Sequence, residues 1–336
     1  MAVKVAINGF GRIGRLAMRC IIESKRKDLQ VVAINDLGSV EENAHLFRYD
    51  SVHGRFPGTV KTTKDSMDLG AGKITVLAEK DPSKLPWKKL GVDLVLECTG
   101  RFTKREEAQM HITAGAKRVL VSAPADGVDL TVVYGVNHEK LKKSHTIVSN
   151  ASCTTNCFSP VAMVLNEAFG IETGFLTTIH AYTADQRLQD TLHKDPRRAR
   201  AAAVSMIPTS SGVAKAIGLV LPELKGRLDG TSIRVPVSNV SVIDLKFISK
   251  SKLTVETINA AFVKAAKTPK LKGIMAVSDE PLVSSDYNHT TLSSTVDLLE
   301  TRTVGDHMGR VLSWYDNEWG FASRMIDTAS AMAKLG

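Results

Sequence analysis

The chain has 336 residues, more than a single hydrophobic core usually organises, so two domains of roughly 150 residues each are expected. Its composition, 43% hydrophobic and 24% charged, excludes a disordered or fibrous protein. The formal net charge is +9, but the basic residues are scattered among acids, which favours a solvated surface over a nucleic-acid interface. The same excess of positive charge attracts phosphorylated small molecules.

Membrane, disulfide and metal classes are also disfavoured. No apolar stretch approaches the roughly 20 residues that cross a bilayer, and the first residues do not resemble a secretory signal. Four cysteines are too few for a disulfide framework in a chain of this length, which predicts a reducing, cytoplasmic location. Cys153 and Cys157 are not accompanied by a second Cys or His pair, so no metal is expected.

The first strand and helix patterns enclose a glycine-rich motif. Residues 9–14 read Gly-Phe-Gly-Arg-Ile-Gly and separate a strand pattern at 3–8 from a helix pattern at 12–22. In that context the glycines allow a tight turn and close approach to a pyrophosphate at the helix N-terminus. A plain glycine-rich turn is the alternative, but the strand, the spacing and a later acid together favour a dinucleotide.

The acid is Asp36, about 20 residues beyond the motif at the end of a second strand pattern, where a carboxylate can accept hydrogen bonds from a ribose. It favours NAD, because the 2′-phosphate of NADP would meet like charge unless Arg12 or Lys80 compensates. Later strand ends at Thr99 and Ser122 are expected to line the same crevice. The predicted cofactor-binding residues of this part of the chain are Gly9, Gly11, Arg12, Ile13, Gly14, Asp36, Lys80, Thr99 and Ser122.

The order of the patterns predicts an α/β protein in two parts. Strand and helix patterns alternate at first, as in βαβ units, whereas alternating segments at 174–182 and 233–247 indicate a half-covered sheet. We predict a doubly wound, Rossmann-type dinucleotide-binding domain at 1–150, with a C-terminal helix at about 317–336 packing back on it. The second domain, 151–316, is predicted to be a catalytic α+β domain with a mixed or antiparallel sheet.

A candidate nucleophile lies at the start of the second part. Residues 147–156 pass from a short strand into a helix pattern, which puts Cys153 near a helix N-terminus, where the macrodipole lowers the pKa of a thiol. His180 ends the strand pattern at 174–179 and could pair with the thiol, lower its pKa as a cation and exchange a proton near pH 7. From these residues alone, a buried inert cysteine and a structural histidine remain the commoner interpretation.

The motifs taken together closely resemble the phosphorylating glyceraldehyde-3-phosphate dehydrogenase family. The likeness covers essentially the whole chain and is carried by residues 8–14, 149–156, 180–183, 194–202, 207–209, 234–236 and 314–320. The resemblance implies a glycolytic, NAD-dependent enzyme that oxidises D-glyceraldehyde 3-phosphate to 1,3-bisphosphoglycerate. In this cycle Cys153 would carry a hemithioacetal and then a thioester, His180 would act as the base, and inorganic phosphate would release the product.

The resemblance also implies two anion sites and an assembly. Thr183 and Arg234 would hold the phosphate of the substrate, with Arg198 near both sites, and Asn317 would bind the nicotinamide carboxamide. A homotetramer is implied, in which residues 183–206 form a loop at an interface. The residues implied for the attacking phosphate are Ser152, Thr154, Ser211 and Gly212.

Two departures from the family pattern and two alternatives remain. Ala184 stands where the family often has Asn, and Ser211 replaces a frequent Thr while keeping the hydroxyl. Leu37 after Asp36 matches the NAD-preferring members. The first alternative is an erythrose-4-phosphate dehydrogenase type of enzyme, which releases its acid by attack of water. The second is a nucleic-acid-binding side role, although no aromatic RNA-reading platform is recognisable.

Overall fold

A computed structural model describes residues 2–335, so Met1 and Gly336, the outer limits of the predicted ranges, lie outside the described residues. The chain forms two compact units. The first contains residues 2–132, 138–152 and 322–335, and the second contains Val133–Asn137 and Cys153–Phe321. The short segment 133–137 belongs to the second unit because it packs there: a Cβ on Gly135 would lie 2.6 Å from Ile274.

The first unit alternates strands and helices over most of its length. Its elements are β1 (Val3–Asn8), α1 (Arg12–Glu23), β2 (Leu29–Asn35), α2 (Val40–Arg48), β3 (Lys61–Thr62), β4 (Ser66–Asp68), β5 (Lys73–Leu77), α3 (Trp87–Leu90), β6 (Leu94–Glu97), α4 (Arg105–Thr113), β7 (Arg118–Val121), β8 (Leu130–Thr131) and β9 (Ile147–Ser149).

These strands form a nine-stranded sheet in the order β3-β4-β5-β2-β1-β6-β7-β9-β8. All neighbours from β5 to β8 in this order run parallel, whereas the β3–β4 and β4–β5 pairs are antiparallel. The chain order reverses at β1, which lies between β2 and β6. In a doubly wound sheet the ligand crevice forms at the carboxyl ends of the strands at this reversal. The sheet therefore places Asn8, Asn35 and Glu97, the last residues of three adjacent strands, at one edge.

Helix α1 shows why this unit folds as predicted. Its apolar stripe, Leu16, Ala17, Cys20 and Ile21, is buried. A Cβ on Gly14 would lie 2.1 Å from the carbonyl oxygen of Gly9, so only glycine lets the helix approach the strand turn this closely.

The second unit is built around a mixed sheet. Its elements are α5 (Cys153–Phe169), β10 (Ile171–Ala181), β11 (Ile207–Ser210), α6 (Val213–Val220), β12 (Leu228–Val235), β13 (Ser241–Ser249), α7 (Val255–Ala266), β14 (Met275–Ser278), β15 (Ser294–Val304) and β16 (Met308–Tyr315). The strand order is β11-β12-β10-β13-β16-β15-β14, with β10–β12 and β14–β15 parallel and the other pairs antiparallel. The predicted fold class, a doubly wound unit followed by a mixed α+β unit, is confirmed.

The alternating segment at 233–247 spans two strands of this sheet, because β12 ends at Val235 and β13 begins at Ser241. Pro236 lacks a backbone N–H for the ladder, and Val240 has a left-handed φ of 69°, so the chain turns between the two strands.

The last helix, α8 (Trp319–Ala333), lies mostly in the first unit, where Arg118 Nη1 donates to the carbonyl oxygen of Met332 at 2.5 Å. Between residues 2 and 335 none of the helices has the length and apolar character to cross a bilayer.

Candidate active site

The glycine motif forms the turn between β1 and α1. Gly9 has a φ of 87°, and a Cβ there would lie 2.7 Å from the backbone nitrogen of Thr99. Gly11 precedes the first helical residue, and a Cβ on it would meet no atom within 4 Å, so the backbone there faces open space. These are the conditions under which a pyrophosphate approaches a helix N-terminus.

Asp36 is fixed against this turn. Its Oδ2 accepts a hydrogen bond from Phe10 N at 2.8 Å, and its Oδ1 accepts one from Gly38 N at 3.0 Å. A cleft of about 710 Å³ opens beside it. The predicted residues that line this cleft are Gly9, Gly11, Asp36, Lys80 and Thr99. A carboxylate, a lysine and a bare glycine backbone in one cleft suit the ribose and the pyrophosphate of a dinucleotide.

The other predicted cofactor residues lie around this cleft. Ile13 and Gly14 are in the first turns of α1, and the Ser122 hydroxyl hydrogen-bonds the thiol of Cys98, which lines the cleft. Arg12 Nη1 pairs with Asp50 Oδ2 at 2.5 Å. Although burial raises the pKa of Asp50, the N–H groups of His53 and Val52 and the Arg12 guanidinium together lower it to about 2.

The thiol and the imidazole meet in the second unit. Cys153 is the first residue of α5, and His180 is the next-to-last residue of β10. Cys153 Sγ lies 3.4 Å from His180 Nε2. Ala151, two residues before the cysteine, has a left-handed φ of 57°, so a strained turn leads from β9 into α5. Cys157, one helical turn further on, is fully buried, and burial raises the pKa of its thiol to about 12.

The hydrogen bonds of His180 fix its tautomer. Nδ1 lies 2.6 Å from the carbonyl oxygen of Ala181, which can only accept, so Nδ1 carries the proton and Nε2 has a free lone pair. Arg234 Nη1 lies 3.1 Å from both this carbonyl and Nδ1. Since Nδ1–H is a donor, the guanidinium and the imidazole share the carbonyl, and the short distance between the two nitrogens is not a hydrogen bond.

The charge state of the pair differs from the prediction that a His180 imidazolium lowers the pKa of the Cys153 thiol. Burial and the Arg234 guanidinium lower the pKa of His180 to about 3. Burial raises the pKa of the Cys153 thiol, although Arg234 and the Thr154 N–H act in the opposite direction. The sequence could not show this, because the dominant effects are the loss of water and the cation that tertiary folding brings. At neutral pH His180 is therefore a neutral base beside the thiol.

Strand register brings Arg234, which is predicted to hold the substrate phosphate, to the imidazole. β10 and β12 pair in parallel with His180 opposite Arg234. Arg234 Nη1 also donates to Thr183 Oγ1 at 3.3 Å, so the two residues predicted to hold the substrate phosphate are in contact. Arg198 is near enough to contribute to lowering the pKa of His180, but its Nη1 is held by Asp185 at 2.6 Å and its Nε by Thr209 at 3.0 Å.

The remaining predicted site residues have separate positions. Ser211 and Gly212 lie between β11 and α6, with Gly212 at the N-cap of α6. Ser152 immediately precedes α5. Asn317 follows β16, and its Oδ1 accepts a hydrogen bond from Ser241 Oγ at 2.8 Å. Because this contact orients the amide, Nδ2 is the group that Asn317 can offer as a donor to a ligand.

Tyr315 has no role that the sequence predicts, yet it lies next to the thiol–imidazole pair. Its buried hydroxyl is 2.9 Å from both Thr154 Oγ1 and Thr178 Oγ1, and its ring packs edge-on to His180 with centroids 5.9 Å apart. Strand alternation predicts that it faces the core, but neither periodicity nor a motif shows which hydroxyls it joins.

The dinucleotide cleft of the first unit and the thiol–imidazole pair of the second indicate the class of NAD-dependent dehydrogenases. Two family models match the chain: "Glyceraldehyde 3-phosphate dehydrogenase, NAD binding domain" over residues 3–105, and "Glyceraldehyde 3-phosphate dehydrogenase, C-terminal domain" over residues 152–317. The chain belongs to the glyceraldehyde-3-phosphate dehydrogenase family, and NAD is its cofactor.

Curated relatives match over the full length. The chain is 67% identical over 336 residues to a glyceraldehyde-3-phosphate dehydrogenase of Xanthobacter flavus, with 100% of both chains covered. It is 61% identical over 335 residues to that of Cereibacter sphaeroides and 54% identical over 337 residues to that of Geobacillus stearothermophilus, again with 100% of each chain covered. The predicted family is therefore confirmed.

Proposed function

We propose that this chain catalyses the phosphorylating oxidation of D-glyceraldehyde 3-phosphate to 1,3-bisphosphoglycerate, with reduction of NAD. The observation that carries the proposal is the 3.4 Å approach of Cys153 Sγ to His180 Nε2, beside Arg234 and Thr183. A thiol and a base at this distance form an activated nucleophile, and an arginine with a hydroxyl suits the phosphate at the far end of a short aldehyde.

The first half of the reaction uses the tautomer of His180. Its unprotonated Nε2 accepts the thiol proton as Cys153 Sγ attacks the aldehyde carbon, and the imidazolium returns the proton to the substrate oxygen, which gives a hemithioacetal. His180 then removes the hydroxyl proton while a hydride leaves the same carbon, and a thioester remains on Cys153. Bound NAD supplies the acceptor for that hydride, and Asn317 would hold its carboxamide through Nδ2.

In the second half, inorganic phosphate attacks the thioester carbon, the C–S bond breaks, and the sulfur leaves as a thiolate that recovers its proton from His180. The residues proposed to hold this phosphate are Ser152, Thr154, Ser211 and Gly212, with Arg198 near both phosphates. Arg198 supports this role because Asp185 and Thr209 fix its plane while its Nη2 hydrogens remain for an anion.

An assay of NADH formation tests the proposal. We expect turnover of glyceraldehyde 3-phosphate to depend on added phosphate or arsenate. Equal turnover in phosphate-free buffer would show that water cleaves the thioester, which is the erythrose-4-phosphate dehydrogenase type of reaction. Cys153→Ala should abolish turnover, and iodoacetamide should label Cys153 stoichiometrically. Activity that survives Cys153→Ala would refute the covalent mechanism.

The same assay tests the preference for NAD. Asp36 lines the cleft, and its carboxylate would repel the 2′-phosphate of NADP. We expect kcat/KM to be higher with NAD than with NADP, and we expect Asp36→Asn to reduce the difference. A ratio that does not change in the variant would remove Asp36 as its determinant.

We also propose a homotetramer in the cytoplasm. Four large apolar side chains between 183 and 206 are exposed by 77% or more, namely Leu188, Leu192, Val204 and Met206. Apolar groups this exposed in one segment support burial against another subunit. Light scattering should give four times the chain mass of 36.4 kDa, and a monomer mass would refute the assembly.

A further inference from the structure

A buried carboxylate beside the dinucleotide cleft has no part in the proposed chemistry. Glu97 ends β6 opposite Asn8 of β1, and its side chain is 1% exposed. Its Oε2 accepts hydrogen bonds from Asn8 Nδ2 at 2.6 Å and from His111 Nε2 at 2.9 Å. Its Oε1 accepts one from Thr99 N at 2.8 Å and one from the Thr99 hydroxyl. A buried charge is tolerated only with such partners.

Trp87 determines where the proton of His111 lies. An indole N–H can only donate, and Trp87 Nε1 is 3.0 Å from His111 Nδ1, so Nδ1 accepts and Nε2 carries the proton. All four partners of Glu97 are therefore donors. Asn8 Nδ2 and His111 Nε2, which lie 3.5 Å apart, converge as two donors on the same oxygen. This arrangement requires an ionised Glu97 and a neutral His111.

The partners of Glu97 belong to the walls of the cleft. Thr99 Oγ1 accepts a hydrogen bond from Arg101 N at 3.1 Å, and both residues line the cleft. Asn8 Oδ1 accepts one from Asn35 Nδ2 at 2.7 Å, and these two residues line it as well. One carboxylate thus ties the ends of β1 and β2 to the loop that follows β6.

We propose that Glu97 and His111 are a positioning pair: they hold these three segments in the arrangement that binds the dinucleotide, and so set the affinity for NAD without touching it. The inference rests on the proposed function, because it takes NAD as the ligand of the cleft. The pair lies in the first unit, whereas Cys153 and His180 lie in the second. It therefore acts on cofactor binding and leaves the thiol chemistry unchanged.

The variant Glu97→Gln tests the pair. It keeps the shape of the side chain but replaces one oxygen with an NH₂ group, which then faces a donor. We expect the Kd for NAD, measured by calorimetry, to rise about 10-fold, which corresponds to one unsatisfied buried group. The KM for NAD should rise in parallel, while kcat at saturating NAD and the KM for the aldehyde stay within about 2-fold of wild type. A variant that is merely less stable would not show a change confined to the KM for NAD.

Asp129→Asn is the matched control. Asp129 is an anchored carboxylate of the same unit, which accepts from Arg105 Nη1 at 2.6 Å, Thr146 N at 2.7 Å and Ile147 N at 2.9 Å. It lies by the first residue of β9, at the opposite edge of the sheet from the cleft. We expect the control to lower the thermal unfolding midpoint and to leave the Kd for NAD unchanged.

His111→Phe keeps the test decisive if Glu97→Gln does not fold. It removes the Nε2–H donor to Glu97 Oε2 at a position that does not line the cleft, so we expect the Kd for NAD to rise about 5-fold. A Kd within about 2-fold of wild type in the folded variants, or an equal loss of affinity in Asp129→Asn, overturns the inference and leaves the proposed function standing. Wild-type protein that binds no NAD overturns both.

Discussion

Cys153 Sγ and His180 Nε2 lie 3.4 Å apart, and the contact between His180 Nδ1 and the Ala181 carbonyl leaves Nε2 as the unprotonated atom. The two groups come from different elements, a helix start and a strand end, and no local pattern in the chain requires them to meet. Their distance makes proton transfer from sulfur to nitrogen direct. The protein thus holds a base and a nucleophile in contact, without a preformed ion pair.

The first prediction concerns that contact. His180→Asn removes the base, so alkylation of Cys153 by iodoacetamide at pH 7 should slow by about 100-fold, the usual scale of general-base assistance. Mass spectrometry of the labelled peptide measures it. His307→Asn is the control, because His307 lies in the same unit and hydrogen-bonds the carbonyl of Ser249. Equal alkylation rates in the two variants would remove His180 from this role.

The second prediction concerns the charge beside His180. Arg234 is, after burial, the largest cause that lowers the pKa of His180 to about 3, and Arg198 is a lesser one. Arg234→Gln should therefore raise the pKa of His180, and Arg198→Gln should raise it less. Titration of the imidazole by ¹⁵N NMR measures both shifts. A pKa that falls in either variant, or a larger rise in Arg198→Gln, would contradict this order.

The third prediction concerns the hydroxyl of Tyr315. Tyr315→Phe keeps the ring against His180 but leaves Thr154 and Thr178 without this partner, so we expect a loss of about 1–3 kcal/mol in stability. Denaturant unfolding measures it. The control is a double-mutant cycle with Thr178→Val. In the Tyr315→Phe background, Thr178→Val should lower the free energy of unfolding only slightly. Strict additivity would show that the hydroxyls do not interact.

The fourth prediction gives the stability a pH dependence. The folded protein lowers the pKa of Asp50 from 3.8 to about 2. A carboxyl group whose pKa is lower in the folded protein than in the unfolded chain stabilises the fold at pH values above its unfolded pKa. This stabilisation is lost as the pH falls towards its folded pKa. Because the side chain is only 3% exposed, Asp50→Asn should cost about 2 kcal/mol at pH 7.

Thermal unfolding of wild type and Asp50→Asn between pH 7 and pH 3 measures the effect. The difference in unfolding midpoint between wild type and Asp50→Asn should be largest at neutral pH and should fall to about half of that value by pH 3. A difference that does not change over this range would mean that Asp50 acts through packing and not through its charge.

Local patterns located many elements closely. The predicted strand at 3–8 is β1 (Val3–Asn8), and the predicted helix at 12–22 is α1 (Arg12–Glu23). Apolar periodicity has a direct physical cause in the burial of one face, so it survives in the sequence. In the segment 233–247 the pattern does not show where one strand ends and the next begins, because the alternation continues across a turn and only Pro236 marks the break.

By itself, the sequence determined the two-part architecture, the glycine turn with Asp36, the cysteine at a helix start and the family, because each depends on a local pattern or a motif. The tertiary structure decided which groups meet. It put Arg234 beside His180 through strand register, paired Arg12 with Asp50, and buried Glu97 among four donors. These outcomes depend on contacts between distant residues and on the exclusion of water, which no local pattern encodes.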